Sequence, residues 1–169
     1  FLEFGEQIKS EDFRHLVLIG MGGSTLGAEV INRVFDHKSG FPELILLDST
    51  IPDSIQAVID SINLDQTLFI ISSKTGGSIE TNSLYMFFRS LLQNSIKQET
   101  IGERFIAITD KESPLHKIAL EHRFRKIILN PPDIGGRFSV LSAFGLLPAT
   151  LTGIDTELLV QRAKVMQRS

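Results

Sequence analysis

Three short stretches combine glycines with hydroxyl or cationic side chains closely enough to do chemistry. The most informative is Ser72-Ser73-Lys74-Thr75-Gly76-Gly77-Ser78-Ile79-Glu80-Thr81, which follows a strongly apolar run and opens a long helical pattern. Hydroxyls at Ser73, Thr75 and Ser78, backbone amides released by two glycines, and the unpaired N–H groups of a helix start would converge there as a nest for a phosphate group. Lys74 brings a positive charge into the same loop. Ser78 can also serve as an N-cap, with Glu80 and Thr81 favouring the first helical turn. The two roles are compatible, and a cap alone does not call for the hydroxyl, lysine and glycine residues that precede it. The order G-x-x-x-x-G-K-[S/T] is absent, which argues against a nucleotide-hydrolysing loop and for a terminal phosphate monoester.

An earlier stretch, Gly20-Met21-Gly22-Gly23-Ser24-Thr25-Leu26-Gly27, joins an apolar run to a helical pattern. Its glycines allow the backbone to approach a ligand closely, and Ser24 can point a hydroxyl into a cleft at a helix N-terminus. A dinucleotide site is the rival reading, since Gly20, Gly22 and Thr25 loosely follow G-x-G-x-x-G/A and Asp48 falls where a ribose-binding acid would sit. The third stretch, Asn130-Pro131-Pro132-Asp133-Ile134-Gly135-Gly136-Arg137-Phe138-Ser139, presents a guanidinium after two glycines. Arg137 offers a permanently charged planar fork suited to an oxyanion developing on a substrate. Its plainer alternative is an ion pair with Asp133.

Elements must hold these loops together, and the pattern supplies them. Five strand-length runs occur at residues 15–20 (HLVLIG), 44–48 (LILLD), 67–73 (TLFIISS), 105–109 (FIAIT) and 126–130 (KIILN). Their hydrophobicity is nearly continuous rather than alternating, as for parallel strands covered on both faces. Helical patterns lie between them at residues 25–35, 52–61, 79–93 and 114–121, with further helix at 139–151 and at 155–167 behind an N-cap Asp155. Alternating strands and helices with right-handed crossovers predict an α/β fold: an open, doubly wound, flavodoxin-like sheet of about five parallel strands. In such sheets ligands bind beyond the carboxyl ends of the strands, where all three loops fall.

The 169 residues suit one domain, residues 1–169, and contain no repeat or low-complexity linker. Hydrophobic residues at 42% and charged residues at 22% predict a globular chain. A net charge of −3 argues against a nucleic-acid footprint, which needs clustered Lys and Arg. No apolar run approaches the roughly 20 residues of a membrane-spanning helix, and the first residues lack signal-peptide order. The absence of cysteine excludes disulfides, thiolate metal sites and a cysteine nucleophile, which fits a cytoplasmic protein. The chain begins at Phe1 and runs out in a helical pattern, so the expectation is a piece of a larger protein.

The three loops, in this order, resemble the sugar isomerase (SIS) domain of the glucose-6-phosphate isomerase family. GMGGSTLG is similar to the family's G-x-G-G-S-x-L-G turn. SSKTGGSIET resembles its S-K-T/S-x-T-x-E-T phosphate loop, and GGRFSVLSAFGLLP its G-G-R-x-S-x-x-S-x-x-G-L signature. The resemblance covers residues 15–153, and the GMGGS and KTGGS forms are similar to the isomerase part of fused transaldolase–isomerase proteins. One departure is visible: Gly77-Ser78 stands where many relatives have two threonines.

The resemblance implies that Ser73, Thr75 and Ser78 bind a sugar phosphate with Lys74 in the same loop, that Gly23 and Ser24 line the sugar side, and that Arg137 stabilises an enediolate. It implies no metal and no organic cofactor, a second SIS domain in the parent chain, and a homo-oligomer. The family's glutamate base and its assisting histidine and lysine have no match here. His15, His37, His116 and His122 fall on a strand start and helical stretches and read as surface or packing residues. Glu80 and Asp133 read as loop-shaping acids. The expected function is therefore the sugar-phosphate-binding domain of an aldose–ketose isomerase that binds but hardly catalyses alone. The alternative is a noncatalytic SIS-type sensor, and a nicotinamide-binding domain comes third. An exposed apolar face, where a second domain docks, is also expected.

Overall fold

Each apolar run becomes a strand because its side chains have a hydrophobic layer to enter on both sides. In the computed structural model, which describes residues 1–36 and 38–168, the strands are β1 (His15–Gly20), β2 (Glu43–Leu47), β3 (Thr67–Ser72), β4 (Phe105–Thr109) and β5 (Lys126–Leu129). All neighbours pair in parallel, in the order β2-β1-β3-β4-β5. This is the expected flavodoxin-like order, whose connections reverse direction between β1 and β3 and leave a crevice there. It is not the 3-2-1-4-5-6 order of the dinucleotide-binding fold, so the sheet does not support that rival.

The α-helices among the described residues are α1 (Leu2–Ser10), α2 (Leu26–Val34), α3 (Pro52–Ser61), α4 (Ile79–Gln93), α5 (Pro114–Glu121), α6 (Ala143–Leu151) and α7 (Thr156–Gln167); the first six cover the two faces and α7 packs outside them. Side chains alternate across the sheet, so Val17, Ile19, Phe69, Ile71 and Phe105 meet Leu84, Tyr85 and Phe88 of α4 on one side. Leu16, Leu18, Leu68, Ile70 and Ile106 meet Ile8 of α1 and Phe144 and Leu147 of α6 on the other. Each such fully buried side chain contributes about 1.5–3 kcal/mol relative to exposure. Two covered faces give the continuous apolar strands that the sequence displays.

Besides one-residue shifts at the ends of β2, β3, β5 and α2, two helix starts and one whole helix differ from expectation. The helix expected from residue 25 begins at Leu26, after a 3-10 turn at Gly22–Ser24. The stretch expected as helix from residue 139 is first a 3-10 turn, Gly136–Leu141, and becomes α6 only at Ala143, where the Ser142 hydroxyl accepts from the Phe144 amide. Helix α1 was not expected at all. It is short, and helices of that length are held by packing rather than propensity. A Cβ on Gly5 would lie 3.1 Å from the Thr150 carbonyl oxygen, so the absent side chain lets α1 approach α6 closely.

Candidate functional site

The carboxyl ends of β1, β3 and β5 bring the three loops to one edge of the sheet, and short polar bonds fasten them to one another. The Ser72 hydroxyl, at the end of β3, donates to the Ser24 carbonyl at 2.8 Å. The Ser139 hydroxyl donates to the carbonyls of Gly23 (2.9 Å) and Gly136 (2.5 Å). A Cβ on Gly23 would stand 2.6 Å from the Gly136 carbonyl, so the first and third loops pass backbone to backbone with room only for glycine. Lys74 links the second loop to the third through a 3.0 Å bond to the Pro132 carbonyl.

The second loop gathers hydroxyls ahead of α4. Ser73 is 3% exposed, its hydroxyl 3.2 Å from that of Ser78, and its amide donates to the Ile108 carbonyl of β4. Thr75 is exposed, and its hydroxyl accepts from the Gly77 amide at 3.4 Å. Gly76 adopts φ +66°, and an added Cβ would meet the Leu115 amide of α5 at 2.6 Å, so this turn needs glycine on both counts. Ser78 holds the N-cap position of α4 without making the capping bond. Ser78 therefore caps none of the first amides of α4, and the positive end of this 15-residue helix opens toward the loop. The acidic Glu80 in that first turn is exposed.

The Lys74 ammonium is committed to partners outside that loop. It donates to Asp110 Oδ2 at 2.6 Å as well as to Pro132, and both side chains of the pair are about three-quarters buried. Arg137 is placed differently. It is exposed, its guanidinium lies 5.7 Å from the Phe138 ring centroid, and it makes no ion pair among the described residues. The plain alternative of pairing with Asp133 is absent. Gly23 and Gly27 on one side and Gly136, Arg137 and Val140 on the other line a cavity of about 200 Å³.

The larger hollow, about 410 Å³, lies at the opposite edge and is filled with internal pairings such as Arg125 with Glu11 at 2.6 Å. Burial works to raise the Glu11 carboxyl, but hydrogen bonds from Arg125 and Gln7 together with the charges of Arg125 and Arg104 outweigh it and hold the group below the usual carboxylate range. Size alone does not mark the chemistry here.

No described histidine side chain is seen hydrogen-bonded to the three loops. His15 starts β1, and the Nδ1 of His116 in α5 accepts from the Glu112 amide at 3.0 Å. His122 ends α5 with Nδ1 2.5 Å from the Tyr85 hydroxyl, and His37 lies outside the described residues. Among the described residues no group of three or more histidines and acids is placed to hold a metal ion, and no helix is long and apolar enough to cross a membrane. Sequence reasoning overlooked Ser72, Asp110 and Ser139 as fasteners. The available signal was a hydroxyl closing the otherwise apolar run of β3, and a serine two residues after Arg137.

Comparison with known proteins points the same way. The phosphoglucose isomerase family profile matches residues 5–168. The chain is 37% identical to a glucose-6-phosphate isomerase of Campylobacter jejuni over 156 residues, 91% of this chain and 37% of that protein. It is 31% identical to one of Rubrobacter xylanophilus, over 96% of this chain and 39% of that protein. It thus spans well under half the length of these curated relatives. Among solved structures, a hypothetical protein of Thermus thermophilus superposes with a TM-score of 0.86 at 31% identity, covering 96% of this chain and 39% of that one. A glucose-6-phosphate isomerase of Chlamydia trachomatis superposes with a TM-score of 0.81 at 29% identity, covering 92% and 29%. With a profile that matches residues 5–168, nearly its whole length, the chain belongs to the phosphoglucose isomerase family.

Proposed function

We propose that this chain is the sugar-phosphate-binding SIS domain of a glucose-6-phosphate isomerase, which interconverts glucose 6-phosphate and fructose 6-phosphate. The observation that carries the reading is the uncapped N-terminus of α4 with Ser73, Thr75 and Ser78 gathered before it. A phosphate monoester seated there would receive hydroxyl and amide hydrogen bonds and the favourable end of the helix dipole. At about 1.5–3 kcal/mol per charge-assisted bond, less ordering costs, such a nest alone supports affinities of about millimolar to tens of micromolar.

The sugar then extends toward Gly23 and Ser24, with Arg137 beyond. During isomerisation a proton moves between C2 and C1 through a cis-enediol, and negative charge develops on the oxygens. A guanidinium without a carboxylate partner is free to stabilise that charge. Its freedom also favours an isomerase over a noncatalytic sensor, which needs the phosphate nest but no group aimed at an enediolate.

General acid–base chemistry needs a carboxylate or imidazole within about 3 Å of the transferred proton. His116 and His122 bond to groups outside the three loops, His15 starts β1, and the loops' own acids, Glu80 and Asp133, are read as shaping them, so the base is assigned outside this chain. The cavity beside Arg137, about 200 Å³, falls short of the roughly 300–1,000 Å³ of complete small-molecule sites. A second SIS domain closing the cleft, and a homo-oligomer working in the cytoplasm without metal or organic cofactor, complete the reading. Leu26, Val30 and Val34 leave an exposed apolar stripe on α2 beside that cavity for the second domain.

The test is a titration of the labelled chain with glucose 6-phosphate, fructose 6-phosphate, glucose and NAD, followed by amide shifts. Both sugar phosphates should move the amides of residues 73–78, and glucose and NAD should not. A response to NAD around residues 20–25, or none to either phosphate, overturns the reading.

A further inference from the structure

Lys74 lies in the loop proposed to hold the phosphate, yet its ammonium is bonded to partners outside that loop. Its ammonium is held by Asp110 Oδ2 at 2.6 Å and reaches the Pro132 carbonyl at 3.0 Å, so one side chain joins the loops after β3, β4 and β5. The backbone beneath is already fixed, since the Lys74 carbonyl accepts from the Asp110 amide (2.9 Å) and the Thr109 hydroxyl (3.2 Å). The ammonium is therefore not needed to attach the second loop to β4. What it adds is the link to Pro132, at the head of the exposed segment that carries Arg137. The far end of that segment is tied by Ser139 to Gly23. Arg137 hangs between these two anchors.

We propose that Lys74 and Asp110 are positioning residues that set the location of Arg137 relative to the phosphate nest, and that the Lys74 ammonium is not itself a phosphate ligand. The carboxylate orients and neutralises the ammonium, and the ammonium holds the Pro132 carbonyl. The catalytic part of this inference rests on the sugar-phosphate isomerase reading. The mechanical part does not.

The experiment compares Lys74→Met, Lys74→Arg and the double variant Lys74→Met/Asp110→Asn in the labelled chain, titrated with inorganic phosphate. In Lys74→Met the phosphate Kd should stay within about threefold of wild type. The amides of residues 133–138 should meanwhile lose order, with order parameters falling below about 0.6. Lys74→Arg, which keeps a cation able to span both acceptors, should restore that order. The double variant strands no carboxylate and should behave like Lys74→Met, so it decides the matter if the single variant fails to fold. In the longer protein carrying this segment, kcat should fall by about 10- to 100-fold at nearly constant KM, as expected for a group displaced by about 1 Å.

A phosphate affinity weakened about tenfold or more with residues 133–138 still ordered would make Lys74 a direct ligand and overturn the proposal. Unchanged order together with unchanged kcat overturns it too. A wild-type chain that binds no phosphate at residues 73–78 defeats the isomerase reading instead, and the order parameters still judge the bridge.

Discussion

Ser78 carries the clearest consequence at the scale of single residues. An N-cap serine usually spends its hydroxyl on the helix, whereas this one lies 3.2 Å from Ser73 and leaves the first turn of α4 uncapped. Ser78→Ala should therefore cost ligand more than fold: phosphate affinity should drop about tenfold or more, as for one charge-assisted hydrogen bond, while the urea midpoint hardly moves. Parallel isothermal titration and denaturation decide it, and a large stability loss with intact binding would return Ser78 to an ordinary capping role. The types of the site residues were legible in the sequence, because hydroxyls and glycines before a helix state their own chemistry. The direction of Lys74 was not. Whether a lysine points into a nest or toward Asp110, 36 positions away, depends on a partner that no local pattern identifies.

At the scale of elements, α6 and the contact between α4 and α5 are the sensitive joints. A Cβ on Gly145 would stand 2.0 Å from the Val140 carbonyl oxygen, which cannot withdraw without moving the turn after Arg137. Gly145→Ala should destabilise the chain by about 1–3 kcal/mol and disturb the amides of residues 136–141, checked by urea unfolding and amide spectra.

The second joint responds to pH. Burial of His122, and then the nearby Arg89, push its imidazolium below the usual histidine range, with Glu121 acting the other way. Burial pushes its partner Tyr85 up to about 12, so the phenol stays protonated. Because the folded form of His122 binds its proton less readily than the unfolded form, stability is full above the unfolded value near 6.5 and declines as pH falls below it. His122→Gln should flatten the slope of the urea midpoint between about pH 7 and 5. An unchanged slope assigns the effect elsewhere.

Most elements were readable from periodicity, since Pro52–Ser61, Ile79–Gln93 and Pro114–Glu121 appear with the expected ends. The start of α6 was not readable. Nearly all its side chains are buried, so no polar stripe separates it from the turn before it.

For the whole molecule, stability should concentrate in the layer between the sheet and α4. Phe69 is fully buried, with ring centroids 5.0 Å from Phe88 and 5.4 Å from Phe105, and Phe105 stacks on Phe124 and meets Tyr85 edge to face. Phe69→Ala should cost about 3–5 kcal/mol, measured by urea unfolding of the chain. A loss under about 1 kcal/mol would mean that the cavity collapses, and that the layer is less tightly packed than the ring geometry indicates.

The sequence by itself determined the alternation of strands and helices, the parallel sheet and the three loops at one edge. These follow from local hydrophobic period, turn residues and a chirality that admits few topologies. Only the tertiary structure decided which polar groups are spent inside the protein and which remain available to a ligand. Ser72, Ser139 and Lys74 are consumed in joining loops far apart in sequence, while the first turn of α4 and the Arg137 guanidinium are left open. The physical reason is that a hydrogen-bond donor is committed by whatever acceptor the fold brings within about 3 Å. That proximity belongs to the packed sheet and its loops, not to any single stretch of chain.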